Sequence, residues 1–277
     1  DMKRFEHKLP YEVEGHGTFL GKITGTSSHP MFNGQLQADR IVMNGTELRE
    51  VRSYVRYENG IVEMDLTGFR QGTDGVVSAS LRYDMETQAL SGAMDMENLD
   101  VPALLALVNQ KEDRIEGRIT SHATLGGTRE NPAGTLTGTI TEGKVAGYEV
   151  TDVALDVALS AHVLTIRNLM GRQEGGSFSA SGTIDFNGAI HVDAEAKDIA
   201  LGIFTGLAGV DEPVMGAASM TAQVRGSAGR PEADLKLTVR SGGMRGASFD
   251  EMVGEARLTG SVIDLKYLTV NKMVGGQ

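Results

Sequence analysis

The sequence has no cysteine and no tryptophan, and aromatic residues fill only 5% of its 277 positions. Without cysteine, a disulfide framework and thiolate metal sites are both excluded. With so few aromatics, a glycan platform of exposed Trp or Tyr has little to be built from. No apolar run approaches the ~20 residues that a membrane-spanning helix needs. No charged, apolar, small-residue series opens the chain as a secretory signal would. Lys and Arg number 26 against 37 Asp and Glu, for a net charge of −11. That balance argues against nucleic acid, which needs clustered cations to neutralise phosphates. It argues equally against tight docking on anionic lipid headgroups.

Catalytic signatures are missing as well. The histidines are His7, His16, His29, His122, His162 and His191, and none pair at three- or four-residue spacing. Neither an HExxH motif nor a Gly-x-Ser-x-Gly elbow occurs. Gly15-His16-Gly17 is half of a dinucleotide fingerprint, but it follows no buried strand and opens no helix, so turn glycines are expected there. Asp211-Glu212 and Asp250-Glu251 read as solubilising acids beside turns. Asn44-Gly45-Thr46 fits a glycosylation sequon, and its Asn-Gly reads as a turn. The expectation is a protein with no catalytic residue, no metal and no cofactor, and therefore not an enzyme. The thirteen methionines suit either flexible core filling or an adaptable apolar surface.

What the sequence does contain is a repeat. HPMFNGQLQADRIVMNGTELREV, NPAGTLTGTITEGKVAGYEVTDV and RPEADLKLTVRSGGMRGASFDEM align without gaps. In each, glycine (Gly45, Gly147, Gly246) follows proline (Pro30, Pro132, Pro231) by fifteen residues, and Val51, Val153 or Met252 lies six further on. The register continues through Met64, Ile166 and Leu265, then sets Gly75 opposite Ser177 and Gly276. The period is about one hundred residues, so each unit holds several elements. The units expected are 1–110, 111–210 and an incomplete 211–277, in one elongated domain. The register starts inside one unit and stops inside another, as expected of a piece of a longer protein.

Within a unit the period is two. Val153, Leu155, Val157 and Leu159 alternate with polar or small residues, as do Phe178, Ile184 and Phe186, Ile190 and Val192, and Leu235, Leu237 and Val239. Strict alternation predicts strands with one apolar face. Asn59-Gly60, Glu142-Gly143, Gly175-Gly176 and Asn187-Gly188 predict short turns between antiparallel neighbours. Val101–Asn109 and Ala200–Gly209 are apolar without alternation and predict short helices, the first with Asp100 as N-cap and Pro102 in its first turn. The expected fold is all-β, about sixteen antiparallel strands with short helices between repeats.

Three features together resemble the bacterial AsmA-like superfamily and, within it, its TamB branch. They are the boundaries Gly25–Pro30, Gly127–Pro132 and Gly226–Pro231, the strands GTLTGTI from Gly134 and GTIDFNG from Gly182, and the closing patterns Asn98–Val101 and Asp198–Leu201. The resemblance spans nearly the whole chain. It implies a sheet curled into a taco-like, U-shaped hydrophobic groove in the periplasm, in a protein anchored in the inner membrane. It also implies carriage of phospholipids toward the outer membrane, a part in outer-membrane biogenesis, and an outer-membrane Omp85-type barrel as partner through regions outside this sequence. No catalytic site is inherited.

On this reading the groove is lined by Val153, Leu155, Val157, Leu159, Leu164, Ile166, Phe178, Ile184, Phe186, Ile190, Val192, Leu235, Leu237, Val239, Leu258, Ile263 and Leu265, with phospholipid acyl chains as ligand. Two other readings of the pattern stand beside it. One is a scaffold that assembles outer-membrane barrels and autotransporters by strand addition. The other is a β stalk with a dry core. The strand from Leu265 to Val270 is expected to be an open edge prone to self-association.

Overall fold

Alternation of apolar and polar residues leaves each strand with one face to bury, and short turns let the next strand lie beside it. The computed structural model follows this rule throughout. It describes residues 12–72, 74–107, 114–128, 130–207, 209, 213–227, 229–244, 246–260 and 262–272. Among them are sixteen strands in one antiparallel sheet whose spatial order is the order of the sequence. The chain divides into two compact units, with the boundary between Gly138 and Thr139.

The first unit holds β1 (Val13–Gly25), β2 (Pro30–Met43), β3 (Thr46–Glu58), β4 (Ile61–Gln71), β5 (Gly75–Asp84), β6 (Leu90–Asp100), α1 (Val101–Leu107) and β7 (Ile115–Gly127). β8 (Pro132–Val145) contains the boundary. The second unit continues with β9 (Tyr148–Ser160), β10 (Val163–Gln173), β11 (Gly176–Asp185), β12 (Ile190–Ala200), α2 (Leu201–Leu207), β13 (Val214–Ser227), β14 (Arg230–Met244), β15 (Ala247–Thr259) and β16 (Val262–Asn271).

The repeat is visible in the backbone. Gly45, Gly147 and Gly246 have φ of 80°, 84° and 81°, each in the turn before β3, β9 or β15. Only glycine adopts that conformation without strain, so the repeat keeps it. Asn98 and Asp198 take φ of 53° and 50° one residue before Leu99 and Ile199. Their backbone N–H groups donate to Thr120 Oγ1 at 3.1 Å and to Ser219 Oγ at 3.0 Å. The turn from β4 to β5 is one residue longer than its counterpart, so Gly75 corresponds to Gly176, not to Ser177. A gapless alignment cannot register that insertion.

Each helix packs over the strands that flank it, α1 on β6 and β7 and α2 on β12 and β13. Asp100 is the N-cap of α1, its Oδ1 accepting the Ala103 N–H at 2.9 Å. α2 packs Ile203 against Ala196 and Ile199, with Tyr148, Phe178 and Phe204 around them. α1 ends at Leu107, the last described residue of the segment assigned to it, whereas α2 is shorter than expected: Ala200 closes β12 and Gly209 lies in a turn beyond Leu207.

Three expectations need correction. Glu142-Gly143 is not a turn but lies inside β8, and the chain reverses at Ala146-Gly147 instead. A glycine within a strand carries the same sequence signal as a turn glycine, and here alternation continues through it to Val145. Gly15-His16-Gly17 lies within β1 at a bulge between His16 and Thr18, not in a turn. Asp250-Glu251 is in β15, paired to β14, not in a loop. Asp211-Glu212 and His7 lie outside the described residues.

Candidate functional site

Residues paired across antiparallel strands point to the same face of a sheet, so the register says which side chains share a surface. In the second unit one row runs Val157, Ile166, Gly182, Val192, Val224, Ala233, Leu258 and Ile263. Beside it, Leu159, Leu164, Ile184 and Ile190 form a shorter row toward one end of the strands. On the other side runs Leu155, Leu169, Ala180, Ala194, Ala222, Leu235, Ala256 and Leu265. Phe178, Ala196, Met220 and Leu237 continue the surface, and Val153 is directed at it beside Gly171. The register thus brings sixteen of the seventeen sequence-assigned residues onto one apolar face. The seventeenth, Phe186, follows β11 in a turn, where its N–H donates to the His162 carbonyl at 3.0 Å.

Burial along this face is graded. Val239 is 0% exposed and Val153 8%, in the zone where Ile199 and Ala218 are also sealed. Those two offer no surface to a ligand. Leu155, Val157, Leu159, Leu164, Ile166, Phe178, Ile184, Ile190, Val192, Leu235, Leu237 and Leu258 are half-buried. Phe186, Ile263 and Leu265 are exposed. The surface is therefore closed near α2 and open toward the opposite strand ends.

Sequence reasoning missed Leu169, Met220 and Leu268, which share the same face. For Leu169 and Leu268 the cause is the β-bulge. Register shifts between Ile166 and Leu169, and beside Lys266 in the pairing of β15 with β16. Each bulge adds one residue and exchanges inside for outside. Gln173, 2% exposed, was missed too. Its Oε1 accepts the Ala200 N–H at 2.8 Å, as Gln71 Oε1 accepts the Asp100 N–H at 2.7 Å. The recurring Arg70-Gln71 and Arg172-Gln173 pairs carried that signal.

Ionisable groups occupy the other face. Arg167 meets Asp156 at 3.2 Å, Arg225 meets Asp193 at 2.8 Å and Arg257 meets Glu232 at 3.1 Å, each across neighbouring strands. Exposed pairs of this kind contribute little each, but they hold charge away from the apolar rows. The first unit differs. Its apolar face carries buried Ser53, Ser121 and Gln71, with Ser53 Oγ, Ser121 Oγ and Gln71 Nε2 lacking a hydrogen-bond partner. The second unit has Leu155 and Met220 at the places equivalent to those serines.

Lys266 Nζ lies 2.7 Å from Glu255 Oε1, joining β16 to β15. That hydrogen bond holds the Glu255 carboxyl below its ordinary 4.5, against the opposing effect of desolvation. It also raises Lys266. A carboxyl depressed by folding adds stability above its unfolded pKa and loses it as pH falls through the lower folded value. As pH falls through the lowered Glu255 value, the protection of β16 amides relative to their intrinsic exchange rates is expected to drop, and Glu255→Gln should remove that acid-dependent part.

Among the described residues no group of three or more His, Asp or Glu is placed to hold a metal ion, and no helix is long and apolar enough to cross a membrane. No family model, no curated protein and no solved structure matches this chain.

Proposed function

We propose that the apolar face of the sheet binds acyl chains and carries phospholipids between the inner and outer membranes, the protein working in the periplasm. The observation that carries this reading is the face of the second unit. Its rows contain no ionisable side chain, the two longest run without interruption from β9 to β16, and most of their bulky side chains are only half-buried. Apolar area left in water costs about 25 cal/mol per Å². Acyl chains are a fitting cover because they need contact and no directed polar partner. Headgroups would remain at the open strand ends, where their charge keeps its water. The AsmA-like resemblance of the repeats implies the same ligand and the same compartment.

The test is photo-crosslinking. Benzoyl-phenylalanine placed at Leu155, Ile166 or Leu237 is expected to give phospholipid adducts, detected by mass spectrometry of the purified protein. The same probe at Ser179, exposed on the polar face, should give none. Absence of lipid at all three apolar positions, or equal yield at Ser179, would reject the conduit.

A further inference from the structure

On the polar face of the second unit, Arg167 pairs with Asp156, Arg225 with Asp193 and Arg257 with Glu232. A group of four neighbours breaks this rule. Asp152, Arg172, Glu195 and Lys197 have neither an ion-pair nor a side-chain hydrogen-bond partner among the described residues. All four are exposed, and all four line one cavity of about 540 Å³ that spans β9 to β12. Met170, Ser177 and Ser179 line it with them.

The register orders these groups. Arg172, Ser177 and Lys197 form one row across β10, β11 and β12. Met170, Ser179 and Glu195 form the next, two residues along the strands. The rows are therefore ~6.6 Å apart. Asp152 enters from β9, where the register shifts between Met170 and Arg172. One end of the cavity thus has a hydroxyl between two cations, and the other has carboxylates. Met170, 46% exposed, sets an apolar side chain beside the acidic row.

The first unit shows that the fold does not require this arrangement. Its matching positions are Glu50, Arg70, Val76, Asp95 and Glu97. There Arg70 meets Glu50 at 3.2 Å, and Asp95 meets His122 at 2.6 Å. Valine stands in place of Ser177, and a carboxylate in place of Lys197. In the second unit Asp152 is one methylene shorter than Glu50, and Thr221 lies where His122 would. Both ion partners are withdrawn and a cation is added.

We propose that this cavity binds a small zwitterion whose anionic group and ammonium are joined by a short methylene chain. The anion sits over Ser177, where Arg172 and Lys197 donate charge-assisted hydrogen bonds. The ammonium lies against Glu195 and Asp152, and the methylenes lie against Met170. A lone anion would meet the two carboxylates and a lone cation the two cations, so a ligand of both signs is the complementary one. An α-amino acid carries both charges on a single carbon and is too short for the row spacing. A cavity of this volume is of small-molecule size. The site lies on the face opposite the apolar rows, so it stands or falls independently of the conduit.

The experiment titrates the isotope-labelled full chain with ε-aminocaproate, glycine, caproate and hexylamine, and follows amide chemical shifts. Saturable shifts at Ser177, Ser179 and Lys197 are expected with ε-aminocaproate. It should bind about tenfold or more tightly than each of the other three probes. Lys197→Glu, which installs the charge of the first unit, should weaken binding about tenfold or more. Glu195→Gln should remove the advantage over caproate. Both residues are exposed, so both variants should keep the wild-type melting temperature. Arg225→Gln, which breaks a polar-face ion pair outside the cavity, should leave binding unchanged. Glycine, caproate or hexylamine binding as tightly as ε-aminocaproate would overturn the proposal. So would shifts that persist in Lys197→Glu, or no saturable shift with any probe.

Discussion

Val239→Asp is expected to unfold the second unit, while Leu155→Asp leaves it folded. Val239 is fully enclosed, facing Ala218 on β13 and Met252 on β15. A carboxylate there has no partner and no water, and an uncompensated buried charge costs about 3–5 kcal/mol. That is a large part of the 5–15 kcal/mol typical of a whole domain. Leu155 is half-buried on the open part of the same face, so its substituted carboxylate reaches solvent, and about 1–2 kcal/mol of lost burial is the expected cost. Circular dichroism melting of the two variants gives the first readout, and lipid crosslinking at Ile166 in Leu155→Asp gives the second. A folded variant that no longer captures lipid supports the conduit. If Leu155→Asp unfolds like Val239→Asp, the face is a dry core and the conduit reading falls.

Gln173→Ala should be the most damaging truncation of a polar side chain. It orphans the Ala200 N–H where β12 passes into α2, and it empties a site that is 2% exposed. An unsatisfied buried donor costs about 1–3 kcal/mol, with a cavity term added. For a chain of this size each kcal/mol lowers the melting temperature by about 2–4 °C. Gln71→Ala should do the same at Asp100 in the first unit. The two sites are separate, so the effects should add. Hydrogen exchange at Ala200 and Asp100 would show whether each loss is local. Unchanged exchange at Ala200 in Gln173→Ala would refute this role.

Much of this was legible in the residues because alternation and turn glycines are local signals. Leu235, Leu237 and Val239 point one way in β14 because nothing interrupts their period of two. The Pro30, Pro132 and Pro231 segments occupy matching strand starts because the turn before each needs a glycine, Gly25, Gly127 or Gly226, with φ between 84° and 95°. What stayed hidden depends on cross-strand geometry. Leu169 changes face through a bulge that no propensity announces. The sealing of Val239, against the openness of Leu155, depends on where α2 and its neighbours lie. Ala146, with φ of 51°, makes a turn with a residue that carries no turn signal.

The sheet keeps its strands in the order in which the chain is made. Every strand pairs with its neighbour in sequence, across a hairpin or, at α1 and α2, across one short helical connection, so loop closure stays short and contact order low for an all-β protein. Assembly can then proceed by accretion as the chain emerges, each new strand templated on the one before it, with no early segment waiting on a late one. The same property makes length an adjustable quantity. Removing one whole period, from Gly72 to Gln173, would join Gln71 to Glu174 and still leave each strand a compatible neighbour. Chains of this design can therefore grow or shrink by duplication and deletion without inventing a new fold.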